Sequence, residues 1–324
     1  MDKLKFNNTF CPLLFVQQYI NTKKEMAVCC FSNKIISSDL DFNSNDYKDI
    51  RNTMLNGSWS DHCQNCQKLE EQKLISPRQK AVKDIYLSHK DIVDEQVQNH
   101  TNGLSVHPHF YDLRISNLCN LTCQMCDAEH SSSIAKLKKT PTEFLSYEPS
   151  IDINPNTFKL YLAGGEPFLI KKFIQFLDSI TNLDCEIVVN TNGTIINEKL
   201  LTALQRFKNV NITLSLDGYK ELNDKIRRGS NWDTIVKNMQ IFIERGFSIH
   251  VNTVLQKDNV NELLALGEFL DNKVSKWTLS ELIEPYEMQW IHADIDKNQI
   301  SPLMELKLVK MNIASVYLLN KILT

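Results

Sequence analysis

From about residue 110 onward the chain switches repeatedly between two hydrophobic periods. Short apolar–polar alternations mark strands, and longer stretches with a period near 3.6 mark helices. Six strands are predicted: FYDLRIS (110–116), TFKLYLAGG (157–165), CEIVVNTNG (185–193), NITLSLDG (211–218), FSIHVNTVL (247–255) and KWTLSELI (276–283). Helical patterns lie between them near 130–140, 170–181, 197–207, 231–245 and 260–272, and a last amphipathic stretch covers 302–322. Strands alternating with helices predict a parallel sheet covered by helices. A complete eight-unit barrel takes about 250 residues, so six units predict an α/β fold, a partial (β/α)6 TIM-like barrel.

The strand faces differ in polarity. Ile212, Leu214 and Leu216 alternate with Thr213, Ser215 and Asp217. His250 and Asn252 oppose Ile249 and Val251, and Asp112, Arg114 and Ser116 oppose Leu113 and Ile115. The apolar sets are expected to face the helices. The polar sets then line an interior with room for a ligand, or else form solvated interior edges.

The first hundred residues lack this alternation. A polar stretch over 68–100, rich in Gln, Lys and Asp, is predicted as helix, and QNHTNGLSVHPH (98–109) reads as a linker. The expected division is a cysteine-rich metal-binding module with a helical linker at 1–104, and the barrel with a C-terminal helix at 105–324.

Composition narrows the partners. The 324 residues are 42% hydrophobic and carry a net charge of −3, from 36 basic and 39 acidic side chains, so nucleic acid is not an expected partner. No run of about 18 apolar residues predicts a membrane span. The opening MDKLKFNNTFCPLLFV is too polar for a secretory signal, and the expected location is the reducing cytoplasm. There, cysteines read as metal ligands rather than disulfides. Eight of the nine precede residue 127, and Cys185 alone reads as a small buried hydrophobe.

Directly after the first strand comes CNLTCQMC, with Cys119, Cys123 and Cys126. With nine cysteines among 324 residues, such a spacing is expected by chance only ~0.007 times. Barrel enzymes place their chemistry at the C-terminal ends of strands. Three thiolates hold three corners of a [4Fe–4S] cluster and leave the fourth iron open. The competing assignment is a zinc knuckle completed by His130 or Asp127.

CNLTCQMC on a partial barrel over about 108–290 resembles the radical S-adenosylmethionine (SAM) superfamily. The resemblance implies that the open iron chelates the methionyl amine and carboxylate of S-adenosylmethionine. One electron then cleaves the sulfonium to methionine and a 5′-deoxyadenosyl radical, which takes a hydrogen atom from the substrate. The position before the third cysteine is usually aromatic and packs on adenine. Here it is Met125, whose thioether also packs against rings. AGGEP (163–167) resembles the family's GGE motif, with Gly164 and Gly165 permitting close backbone approach and Glu166 binding the cofactor amine. NTNG (190–193) and SLDG (215–218) supply Asn190 and Ser215 as ribose candidates, with Asp217 and Asn252 behind them, although plain turn chemistry explains such sequences too. DKIRRGS (224–230) resembles the stretch whose arginine pairs with the cofactor carboxylate; Arg227 is favoured over Arg228.

A second constellation lies near the N-terminus. FCPLLFVQQYINTKKEMAVCC (10–30) reads as two strands joined at NTKKE, and WSDHCQNC (59–66) adds a CxxC. The order resembles the auxiliary-cluster modules called SPASM and twitch, although those usually follow the barrel. Cys11, Cys29, Cys63 and Cys66 are the expected ligands of a second [4Fe–4S] cluster, with a structural zinc site as the alternative. Neighbours on a strand face opposite ways, so only one of Cys29 and Cys30 is expected to ligate. His62 reads as an exposed loop residue. The functions in play are a radical enzyme acting on a peptide or protein, reduced by a flavodoxin or ferredoxin; one acting on a small molecule; and a non-catalytic zinc or iron–sulfur protein for binding or electron transfer.

Overall fold

The structure, a computed structural model, describes residues 6–32, 34–114, 116–140, 153–282, 285–304 and 313–323. Of the predicted elements, Ile115 in the first strand, residue 283 in the sixth and 305–312 in the terminal stretch lie outside these residues. The chain forms two compact units, residues 1–114 with 149–161, and residues 115–148 with 162–324.

In the first unit, β1 (Gln17–Ile20) pairs antiparallel with β2 (Met26–Ala27), and β2 pairs antiparallel with β3 (Ile35–Ser37). β1 also runs parallel to β4 (Phe110–Arg114), with Tyr19 opposite Asp112. The β1–β2 turn is built on Asn21, whose side-chain oxygen accepts from the Lys23 and Glu25 amides, both at 2.9 Å. Two parts of the expectation change here. The piece before β1 is a helical turn, Leu13–Val16, begun at Pro12, and β3 was not foreseen. The stretch 68–100 is not one helix either. It breaks after Glu71 and restarts at Ser76, where a Ser76–Gln79 capping box and Pro77 set a new N-terminus. The core gathers Phe10, Leu14, Phe15, Val16, Met26, Tyr47, Met54 and Val93. A fully buried side chain of this size contributes about 1.5–3 kcal/mol.

β5 (Lys159–Ala163) leads into the second unit. There β6 (Glu186–Thr191), β7 (Asn209–Ser215), β8 (Ser248–Leu255) and β9 (Lys276–Glu281) run parallel in that order. Helices Glu198–Leu204, Trp232–Glu244 and Leu263–Leu270 connect them. The fold is thus α/β with a mostly parallel sheet. Burial along β8 alternates strictly, with Ile249, Val251, Thr253 and Leu255 buried, as its period-two pattern requires. Cys185 is fully buried at the foot of β6. Among the described residues no helix is long and apolar enough to cross a membrane.

Candidate active site

The loop that follows β4 carries the three cysteines, and local polar bonds fix its shape. Ser131 caps helix Ser132–Lys138 and donates its hydroxyl to Leu121 O at 2.7 Å. Ser132 Oγ accepts from the Cys119 amide at 3.1 Å, and Ser133 Oγ donates to Cys119 O at 2.7 Å. The serine run was not singled out in the sequence, though its position at a helix start is the signal that marks it. Gly165 closes the loop from the other side. Its amide donates to Ser116 O at 2.6 Å, and a Cβ there would stand 2.2 Å from Leu118 O. Only glycine allows that approach.

The loop is also tied to the strand ends. Asn192 Nδ2 donates to Asn120 Oδ1 at 2.9 Å. The Thr122 and Gln124 amides donate to Arg228 O and Ile226 O, both at 2.9 Å.

Cys119, Cys123 and Cys126 face a cavity of about 310 Å³ at the C-terminal ends of the second unit's parallel strands. Of the other predicted residues, Met125, Gly164, Gly165, Asn190, Ser215 and Arg227 line it as well, and Asn252 joins them. Ser215 and Asn252 are direct neighbours across β7 and β8. Glu166 sits elsewhere. It is fully buried behind the wall, and its carboxylate accepts from Thr191 Oγ1 (2.7 Å), the Asn192 amide (2.8 Å) and the Phe168 amide (3.0 Å). Arg227 is engaged too, since its Nη2 meets Asp217 Oδ2 at 2.7 Å. Asp127 and His130, the candidates for completing a zinc knuckle, pair with each other at 2.9 Å on the cavity rim.

Burial raises all three thiols, Cys126 to about 12, and Arg227 counters part of the rise at Cys123. Without a cation such thiols stay protonated; bound iron holds them as thiolates. The donor set fits an iron–sulfur cluster: three thiols, a glycine cradle beside them, and polar strand ends around the remaining space.

In the first unit, Cys11, Cys29, Cys63 and Cys66 line one small apolar cavity with Leu14, Val28 and Met54. Cys30 is not on that wall; it faces Asp112 and Arg114. His62 departs from expectation, because it is half-buried on the cavity wall with its Nδ1 unpartnered. Burial pushes Cys11 up to about 12 and Cys29 well above its usual value. Four soft donors around one space fit a fully ligated metal group. Among the described residues no three His, Cys, Asp or Glu side chains converge closely enough to hold a single metal ion.

Comparison with known proteins shows what this part of the chain is similar to. Residues 113–270 match the model of the radical SAM superfamily. The chain is 26% identical over 216 residues to a GTP 3′,8-cyclase of Caulobacter vibrioides, covering 64% of this chain and 59% of that one. It is 30% identical over 152 residues to a mycofactocin maturase of Mycobacterium tuberculosis, covering 45% and 37%. SuiB of Streptococcus suis is similar in structure, at 18% identity and a TM-score of 0.45, covering 86% of this chain and 67% of that one. The chain spans less than two thirds of the length of these two curated relatives. Residues 113–270 are thus similar to the radical SAM superfamily, by family match and by the CNLTCQMC motif within them.

Proposed function

We propose that the protein is a radical SAM enzyme that modifies a peptide or protein, and that its first unit carries an auxiliary [4Fe–4S] cluster. One observation supports this above others: the three loop cysteines, the Gly164–Gly165 cradle and the polar ends of three parallel strands surround one cavity. In this assignment Cys119, Cys123 and Cys126 hold the cluster whose open iron takes S-adenosylmethionine. That cluster supplies the electron that cleaves the cofactor to a 5′-deoxyadenosyl radical. Gly164 and Gly165 leave room for the cofactor beside the backbone, Met125 packs on its adenine, and Asn190 and Ser215 hydrogen-bond its ribose. Glu166 holds the β6 end in place rather than meeting the cofactor.

Cys11, Cys29, Cys63 and Cys66 ligate the auxiliary cluster, a group with no open iron that is suited to electron transfer. A flavodoxin or ferredoxin supplies electrons, and the setting is cytoplasmic. The peptide substrate rests on the resemblance of the N-terminal cysteines to SPASM and twitch modules. A small-molecule substrate is the second assignment, favoured by the similarity to a GTP 3′,8-cyclase.

The test is metal content after anaerobic reconstitution. About eight irons per chain are expected, and about four in the Cys119→Ala/Cys123→Ala/Cys126→Ala variant. Zinc without iron would overturn the proposal.

A further inference from the structure

Arg227 has partners that its expected role, pairing with the cofactor carboxylate, does not require. Two backbone hydrogen bonds, Thr122 N to Arg228 O and Gln124 N to Ile226 O, bracket Cys123 on one segment and Arg227 on the other. Gln124 Nε2 adds a bond to Lys225 O at 3.2 Å. Gly229, at φ +96°, brings the segment against Leu121. Residues 225–229 therefore form a strap across the cysteine loop, with Arg227 directly opposite Cys123.

Arg227 is buried, and it lines the same cavity as Cys123. Its Nη2 is ion-paired with Asp217, but its Nε–H is buried with no hydrogen-bond partner. An orphaned cationic donor at a cavity wall calls for an anionic acceptor. Asp217 is itself immobile: it is fully buried, and its Oδ1 accepts from the Val254 amide at 2.7 Å. Buried charges act on one another through a weak dielectric screen.

We infer that Arg227 sets the reduction potential of the cluster held by Cys119, Cys123 and Cys126, acting on the Cys123 thiolate, while Asp217 limits how much of its charge the cluster feels. The inference rests on the assignment of that loop as an iron–sulfur site. Reduction adds a negative charge to the cluster. A nearby cation and N–H donors to sulfur stabilise the reduced form and raise the potential, and a nearby carboxylate lowers it. Arg227 is a tuning residue here, and its partner Asp217 has the opposite sign.

The experiment is an anaerobic redox titration of the reconstituted full chain. It follows the paramagnetic signal that changes on adding S-adenosylmethionine, which marks the cluster with the open iron. Arg227→Gln is expected to shift the potential negative, Arg227→Lys to stay near wild type, and Asp217→Asn to shift it positive. Shifts of opposite sign are not produced by a merely structural role. Where Arg227→Gln does not hold its cluster, the sign of the Asp217→Asn shift decides. An unmoved potential in these variants would overturn the inference, and would do so in favour of carboxylate binding if Arg227→Gln also lost cofactor affinity. A wild-type protein with no cofactor-responsive cluster would overturn the functional proposal itself.

Discussion

Thr191, on the cavity wall, donates its hydroxyl to Oε1 of the fully buried Glu166 at 2.7 Å. This bond joins the loop after β5 to the end of β6, and the Asn192 amide binds the other carboxylate oxygen at 2.8 Å. Glu166→Gln replaces one acceptor by a donor and sets it against an N–H or O–H. The expected loss is about 2 kcal/mol of stability, and Thr191→Val is expected to cost about 1 kcal/mol. Urea unfolding of the two variants beside wild type checks both values. If Glu166 instead met the cofactor amine, Glu166→Gln would lose cofactor affinity with its stability unchanged.

Gly165→Ala forces a Cβ to within 2.2 Å of a backbone oxygen, at Leu118, and backbone cannot swing aside as a side chain does. The cysteine loop has to move. Iron per chain is expected to fall from about eight to about four, because only the cluster of the second unit is affected. Iron and sulfide assays on the reconstituted variant read this directly.

The paired cysteines separate the two roles in the first unit. Cys29 shares the cavity with Cys11, Cys63 and Cys66, whereas Cys30 lies against Asp112 and Arg114. Cys29→Ser is expected to lose about four irons, and Cys30→Ser to lose none. Equal losses in the two variants would show that the choice between them is wrong.

What was legible in the sequence was local. The β8 pattern is a strict alternation, and its burial follows it residue by residue. The three cysteines sit in one loop of eight residues, so their spacing alone brings them together. What was not legible depends on partners set by the fold. Asn120 meets Asn192 across 72 positions, and no short motif announces such a pair. Glu166 stood in a recognisable motif, yet its hydrogen bonds to Thr191 and Asn192, 25 and 26 positions on, could not be read from it. The break in 68–100 was visible as SPRQ, but its polar composition fitted a continuous helix equally well.

The buried thiols give the metal-free protein a pH signature. Burial holds Cys11 and Cys126 near 12 when folded, above the ordinary thiol value of about 8.5 that they regain on unfolding. The folded chain then keeps protons that the unfolded chain releases. The stability this supplies is present below about pH 8.5 and is lost as pH rises toward the folded values. Urea midpoints of metal-free protein are expected to fall between about pH 7.5 and 9.5, and those of the iron-loaded protein to stay level, since bound thiolates carry no proton.

The most direct test of the central claim is the formation of 5′-deoxyadenosine. Anaerobically reconstituted protein is supplied with a low-potential reductant and S-adenosylmethionine, beside the variant with Cys119, Cys123 and Cys126 all changed to alanine. The account predicts 5′-deoxyadenosine and methionine from the wild type and neither from the variant. Equal product from both, or none from iron-loaded wild type, would contradict it.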